Sequence, residues 1–460
     1  MVTFCRSWGA YAPTYRAKEM KILAGWIANG TSGAVVGLPG AGKSNLLGFL
    51  CHRPDALRAY LPPGSGSVAV IPVDLNNLPA NTLATFYRVI LRSFYEIRER
   101  FDQESQAAIA RVYQENQGAR DPFLPQSGLR ELLLHFQTQE TRVVLVLDRF
   151  DRFSQVATPQ MMDTLRGLRD SFKDTLCYIT GLRHAPVYLP DPEALGEMYE
   201  VLDMHVCQVG PMDESDARRL VAEETHAAPT PPTEGDVAHL LALTSSYPAL
   251  LKVACHWWLD TFNRPAASAW LEALLAERSV QFRLAEIWGG LTQEEKQALL
   301  AMQKDQSLPR TTERQQYILA QLADKGLCQE IAGEWRVVGP LLAAHAAEAR
   351  VQNVGRIWLD RETGDLYQGQ TILENLAPLE RAVLHFLVTD PGVRHTKTDL
   401  IVNAWPDELR RQGVTDDSLY QVVMALRKKI EPEPAKPCYL VTWRGRPEGG
   451  YQFFPEGRPA

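Results

Sequence analysis

The sequence predicts an α/β fold built on a parallel sheet, followed by an all-α segment, a winged helix and a C-terminal α+β module. Three observations predict it. Short apolar runs near residues 35, 70, 145 and 178 alternate with helical segments, the pattern that produces a parallel sheet. A glycine-rich loop joins the first run to a helix. Two later stretches, in the second half of the chain, each run from helices into a hairpin.

The first run, Ala34-Val35-Val36, leads into Gly37-Leu38-Pro39-Gly40-Ala41-Gly42-Lys43-Ser44, and Asn45 to Leu50 continues with helical character. This is the Gly-x-x-x-x-Gly-Lys-Ser spacing of a P-loop, between the strand and the helix that the motif requires. Glycines let the backbone curl so that its N–H groups point at phosphate oxygens. The helix N-terminus adds positive potential. Gly37, Pro39, Gly40, Ala41, Gly42, Lys43, Ser44 and Asn45 are therefore the expected nucleotide cradle. Lys43 is expected to reach the β- and γ-phosphates and the Ser44 hydroxyl to ligate Mg²⁺. The expected fold is a P-loop NTPase sheet.

A second strand must bring an acidic partner for Mg²⁺. Val143-Val144-Leu145-Val146-Leu147 ends in Asp148, and five apolar residues in a row read as a central strand covered on both faces. Arg149 follows, where many ATPases of this class carry a glutamate that activates water. The next acid, Asp151, is either a surface carboxylate or a substitute base. Val68 to Asp74 is another candidate strand. Leu176 to Leu182 is a further one, and it ends in Arg183, a solvated strand-end arginine or a sensor of the γ-phosphate.

Together these residues resemble the STAND group of AAA+-related signal-transduction ATPases, and also the origin-recognition ATPases. The resemblance is carried by Tyr15-Arg16-Ala17-Lys18-Glu19, the P-loop, Asp148-x-x-Asp151 and Arg183, and it covers roughly residues 12 to 350. It implies ATP or ADP with Mg²⁺ as cofactors, Arg16 near the adenine, and Pro248 closing the pocket from a helical lid. Thr244-Ser245-Ser246-Tyr247-Pro248 departs from the family by placing serines where glycines are common. No Asn-Lys-x-Asp motif for guanine follows Asp148.

The segment from Pro211 to about Leu259 reads as the lid, with Asp213-Glu214-Ser215-Asp216 as a helix start and Ala227 to Thr233 as a loop. His256, beside Trp257-Trp258, reads as a packing residue. Leu291-Thr292-Gln293-Glu294-Glu295 is a capping-box start. Its helix, the helix Tyr317 to Lys325 and a hairpin turning at Gly333 give a first winged helix. Neither helix has a basic face, so a structural role is expected.

In the last hundred residues, Leu376-x-Pro378-Leu379-Glu380, the helix end Leu426-Arg427-Lys428-Lys429-Ile430 and a wing from Trp443-Arg444-Gly445 to Gly450-Tyr451 resemble the OmpR/PhoB-type winged helix. The resemblance implies that the third helix, Asp417 through Ile430, enters a major groove of duplex DNA. Tyr420, Gln421, Met424, Arg427 and Lys428 are its expected DNA-facing residues, joined by Arg444 and Arg446 on the wing. Gln421 suits an adenine edge and the basic residues suit phosphates. Family members often carry arginines where Met424 and Ala425 stand, and acidic and basic residues nearly balance across the module. A module that docks a protein is the alternative.

At 460 residues the chain exceeds one core, and roughly two to four domains are expected. The boundaries read as 1–210 for the ATPase domain, 211–272 for the lid, 273–350 for the first winged helix and 356–456 for the C-terminal module. A net charge of −7 excludes a nucleic-acid footprint over the whole surface, so any such contact is local. The seven cysteines are scattered without a Cys-x-x-Cys pair, as suits a reducing compartment. No apolar run approaches the roughly 18 uncharged residues of a membrane span, and the N-terminus lacks a secretory pattern. A cytoplasmic chain without membrane contact is expected. The expected function is a nucleotide-controlled switch with DNA binding as output and a nucleotide-dependent homo-oligomer as a further expectation. An oligomeric DNA loader and a signalling adaptor are the alternatives.

Overall fold

The apolar runs form five strands: β1 (Gly33–Val36), β2 (Ser67–Val73), β3 (Thr141–Leu147), β4 (Leu176–Leu182) and β5 (Val206–Gln208). They pair in the order β2-β3-β4-β1-β5, and all four pairings are parallel. Successive residues alternate between the two faces, as the period of a strand demands. Val35, Val144, Val146, Cys177 and Ile179 pack on one side against the helices Ala17–Asn29 and Lys43–His52. Ala34, Val36, Val143, Leu145, Leu147 and Tyr178 pack on the other against Leu83–Glu96, Phe123–Thr138 and Pro159–Ser171. A sheet covered on both faces explains the unbroken apolar runs. β5 is the strand that sequence reading missed: three residues, only Cys207 of them fully buried.

The computed structural model describes residues 8–189, 192–261, 263–302, 313–331, 333–352, 355–360, 363–369, 371–373, 376–405, 416–431, 434, 436–445 and 448–458. The chain divides into two compact units, Met1–Ala343 and Ala344–Ala460.

In the first unit the helices Glu214–Glu224, Glu234–Thr244 and Pro248–Asp260 follow the sheet, and Leu240, Leu251 and Trp258 join the core on its β1 face. His256 is not a packing residue: it lies exposed, with Nε2 3.0 Å from Glu224 Oε2. The helices Gln293–Met302 and Glu313–Asp324 precede the antiparallel hairpin β6 (Cys328–Ile331) and β7 (Glu334–Val337), which turns at Gly333. Thr292 and Glu295 exchange side chain and backbone hydrogen bonds at 3.0 and 3.3 Å, so the expected capping box is present. Glu295 also forms a buried ion pair with Lys325. This pair ties the two helices together.

The second unit holds one core. The small sheet β8 (Ile357–Leu359), β9 (Leu366–Gln368) and β10 (Thr371–Ile372) comes first. The helices Pro378–Thr389, Lys397–Ala404 and Asp416–Ile430 follow. A second sheet, ordered β11 (Arg394–Thr396), β13 (Gly450–Phe453), β12 (Leu440–Trp443), completes it. Val383, Leu387, Leu400, Val423, Leu426 and Phe453 meet between helices and sheet.

The Ser245-Ser246 departure has a structural answer. Both serines adopt positive φ, 51° and 55°, so the turn into the Pro248–Asp260 helix keeps a glycine-type backbone without glycine. Ser246 N–H bonds Leu241 O at 3.2 Å and its carbonyl accepts from Met212 N at 3.0 Å, which fixes the turn. L-residues resist this region by roughly 1–2 kcal/mol. Ser246→Gly is expected to raise stability by about 0.5–1 kcal/mol after the entropy of the freer unfolded chain is subtracted. A urea midpoint unchanged or lowered would show that the turn is not strained.

Candidate nucleotide and DNA sites

Two glycines in the left-handed region, Gly40 and Gly42, follow the end of β1. Gly37 N–H still bonds Leu182 O on β4 at 3.2 Å, and the loop then curls over the start of the Lys43–His52 helix. Gly40 has φ 79°, and a Cβ there would stand 2.5 Å from Ala249 Cβ, so only glycine admits the lid so close. A loop that turns its N–H groups inward must turn its carbonyls out, and each outward carbonyl needs a donor. Ala249 N–H donates to Gly40 O at 3.1 Å. The Tyr247 hydroxyl donates to Pro39 O at 3.0 Å. Arg16 Nη2 donates to Ala41 O at 2.7 Å.

Arg16 corrects the expectation placed on it. Its side chain is buried, and besides Ala41 O it donates to Gly210 O at 3.0 Å, Pro211 O at 2.9 Å and Glu19 Oε1 at 3.1 Å. Its backbone N–H bonds the Asp216 carboxylate at 2.8 Å. The guanidinium joins the P-loop to the start of the lid and is absent from the lining of the cleft in front of the loop. Several backbone carbonyls would lose a donor with it, and so would Glu19. Arg16→Ala is expected to cost about 3 kcal/mol or more. Arg16→Lys is not expected to rescue, because one ammonium cannot span the same acceptors. Chemical denaturation reads this directly, and a loss under about 1 kcal/mol would contradict the clamp.

The cleft in front of the loop has a volume of about 760 Å³. Pro39, Gly40, Gly42, Lys43, Ser44 and Asn45 line it from the loop, Pro248 and Ala249 from the lid, and Asp151, Arg149, Arg152 and Arg183 from the ends of β3 and β4. Lys43 Nζ rests on Gly37 O at 3.2 Å. Burial is the main influence on Lys43 and lowers its proton affinity, while Asp151 and Asp148 oppose that effect. Asp151 is ion-paired with Arg183 at 3.7 Å. The structure therefore brings Lys43, Asp151, Arg183 and Pro248 to one cavity.

Trp8, Tyr11 and Leu220 also line it, and sequence reading missed all three. Trp8 stacks on Tyr11 with ring centroids 5.6 Å apart, and Tyr11 meets Tyr15 edge-on at 4.7 Å. Arg53, just past the Lys43–His52 helix, holds this turn by donating to Trp8 O and Tyr11 O at 3.1 and 2.6 Å. The aromatic spacing before the first helix was the available signal.

Asp148 and Ser44 share a second cleft, of about 660 Å³, together with Asp74, Asn76 and Arg149. Asn76 Nδ2 donates to Asp148 O at 3.1 Å. A Cβ at Gly181 would lie 2.6 Å from Asp148 Oδ1, so the glycine of β4 leaves room for that carboxylate. One hydroxyl and one carboxylate are an incomplete donor set of hard oxygens. That suits Mg²⁺, whose remaining ligands are phosphate oxygens and waters. Among the described residues no cluster of three or more His, Cys, Asp or Glu forms a closed metal cage.

In the second unit the Asp416–Ile430 helix exposes Tyr420, Gln421 and Lys428, with Tyr420 56% exposed, and leaves Met424 half-buried. These positions share one face, spaced by three or four residues. Arg444 is exposed beside the wing, and Arg446 lies outside the described residues. Arg427 is not a DNA-facing residue. It is buried, and it donates to Leu440 O at 3.0 and 2.7 Å and to Thr442 Oγ1 at 2.8 Å. Glu431, four residues on, accepts from the N–H groups of Cys438, Tyr439 and Leu440 at 2.6 to 3.1 Å. Both charges pin the wing to the helix. Glu380, of the quoted motif, accepts from Ala377 N at 2.8 Å and pairs with Lys429.

Residues 370–453 match the family described as transcriptional regulatory protein, C terminal, and that part of the second unit is an OmpR/PhoB-type winged helix. Among solved structures, the Walker-type ATPase of Pyrococcus abyssi is similar at 13% identity, covering 72% of this chain and 95% of its own, with a TM-score of 0.43. The Aeropyrum pernix ORC1 protein, solved in complex with DNA, is similar at 17% identity, covering 75% and 95%, with a TM-score of 0.33. A point mutant of Thermotoga maritima RuvB is similar at 10% identity, covering 72% and 95%, with a TM-score of 0.33. A search of curated proteins finds no match. No described helix is long and apolar enough to cross a membrane.

Proposed function

We propose that this chain is an ATP-binding, slowly hydrolysing switch whose nucleotide state controls DNA binding by the C-terminal winged helix. One observation carries the reading: the lid supplies hydrogen-bond donors to the outward carbonyls of the P-loop, through Tyr247 and Ala249. A phosphate that reshapes the loop must then disturb the lid's own bonds. ATP and ADP differ by one phosphate, so they bias the lid only if they bind its two positions with different affinity.

In this reading residues 1–210 form the ATPase domain, 211–272 the lid, 273–350 a structural winged helix and 356–456 the output. Trp8, Tyr11, Leu220 and Pro248 bracket the base. Lys43 and the loop N–H groups hold the phosphates. Ser44 and Asp148 would hold Mg²⁺, which would neutralise phosphate charge when bound. Asp151 orients or deprotonates the attacking water, and Arg183 contacts the γ-phosphate on leaving its ion pair with Asp151. Tyr420, Gln421, Met424 and Lys428 face the DNA, and Arg444 suits its backbone. A nucleotide-dependent homo-oligomer belongs to the same reading.

A second reading has one observation in its favour. Burial of Arg427 removes a cation from the recognition face, which suits a module that docks a protein instead of duplex DNA.

With arginine in place of the usual water-activating glutamate, turnover is expected below about 1 per second, the low end of enzyme rates. Lys43→Ala is expected to abolish nucleotide binding, and Asp151→Asn to slow hydrolysis by about 10²-fold while leaving ADP affinity unchanged. Steady-state and single-turnover assays check both. Turnover of tens per second in the Asp151→Asn chain would contradict the role given to that carboxylate.

A further inference from the structure

We propose that Arg149 is the catalytic cation of this site, acting on the γ-phosphate of nucleotide bound to its own chain. The proposal rests on the nucleotide reading above and adds to Arg183 a second arginine for the transferred phosphate, one supplied by the same chain.

The backbone comes first. Arg149 has φ 55°, a left-handed conformation that arginine has no local reason to adopt. It is held there from both sides. Asp148 Oδ1 accepts the Arg149 N–H at 2.9 Å, and Arg149 O accepts from Arg152 N and Phe153 N at 3.0 and 3.2 Å, opening the Phe150–Ser154 helix. A costly conformation fixed by its surroundings at the end of a central strand points to a role for the side chain it presents.

The placement comes next. Arg149 lines both the nucleotide cleft and the neighbouring cleft that holds Asp148, and both clefts include Ser44. Lys43 feels Asp151, Asp148, Arg183 and Arg149 as its charged neighbours. Arg183 already has Asp151 as a partner. The Arg149 guanidinium has no ion pair or hydrogen bond among the described residues. It is an exposed cation, not neutralised by a carboxylate, next to the expected Mg²⁺ ligands.

The chemistry follows from that charge. A water oxygen forms its bond to the γ-phosphorus as the bond to the β,γ-bridging oxygen breaks, and the bond's electron pair stays on ADP. The water proton passes to Asp151 or to the departing phosphate. Negative charge spreads over the γ-phosphoryl oxygens during the transfer, where a guanidinium is most effective. Arg149 stays protonated throughout. It supplies charge at the position where a glutamate would activate water and leaves the water to Asp151, and because it follows Asp148 directly after β3 it needs no second subunit to deliver it.

The test uses the full chain and Arg149→Asn, since asparagine tolerates the left-handed turn and the change removes the guanidinium's charge and reach while keeping a polar side chain. Fluorescence polarisation would measure affinity for ADP and for a slowly hydrolysed ATP analogue, and single-turnover assays would measure hydrolysis. The expected result is unchanged ADP affinity, analogue affinity lowered about tenfold and hydrolysis slowed about 10²-fold or more. Arg149→Lys should recover part of both losses. A mixture of Arg149→Asn and Lys43→Ala chains should hydrolyse no faster than the Arg149→Asn chain alone. Equal loss of ADP and analogue affinity would mean a structural role, no loss would mean no role, and recovered hydrolysis in the mixture would mean action on a neighbouring subunit. Each of these overturns the proposal. A wild-type chain that binds neither nucleotide would instead remove the nucleotide reading itself, and that failure is seen before any variant is made.

Discussion

A loop that turns its N–H groups toward a phosphate leaves carbonyls that must be met from outside it, and the first unit of this chain is arranged around that constraint. Within the loop backbone Ala41 N–H meets Leu38 O at 3.2 Å. Gly37 O is met by Lys43, Pro39 O by Tyr247, Gly40 O by Ala249 N–H and Ala41 O by Arg16. Two of those donors belong to the lid. Of the other two, Arg16 also holds Gly210 O and Pro211 O, where the chain leaves the sheet. The loop therefore cannot be described as a free-standing phosphate cradle. Its outward side is part of the lid interface, and the close approach at Gly40 leaves no room for a side chain to intervene.

Much of this unit was legible because its parts obey short-range rules. The P-loop is a fixed spacing, and β3 and β4 are long apolar runs that only a doubly covered sheet accommodates. The turn after Thr244 was less legible. Glycine usually marks a left-handed backbone, and here serines adopt it under bonds from Leu241 and Met212. β5 carries too few apolar residues to register as a strand and is fixed by pairing with β1. Arg16 was placed near the base by resemblance, but its partners are backbone carbonyls about 200 residues away in sequence, which no local pattern discloses.

The second unit shows the same division. Leu419, Val422, Val423, Leu426 and Ile430 read from the sequence as one apolar face of the third helix; four of them are buried, and Val422 packs half-buried against the same core. Arg427 lies four residues after Val423 and so falls on that face too. Its charge suggested DNA, while its position in the helix indicated burial. With Glu431 it anchors the wing strand to the helix through carbonyl and N–H groups. The exposed face that remains, from Tyr420 to Lys428, is more polar than cationic. Specificity there would come from shape and hydrogen bonding, with a modest phosphate term.

The central claim joins the two units: nucleotide in the first decides DNA binding by the second. Selection of bound duplexes from a random pool by the purified full chain tests it most directly, with ADP in one arm, a slowly hydrolysed ATP analogue in another and the Lys43→Ala chain as the unloaded state. The account predicts an enriched motif in one nucleotide arm only. Equal enrichment in both arms would contradict control by nucleotide, and recovery without a motif, or none at all, would contradict site-specific DNA binding as the output.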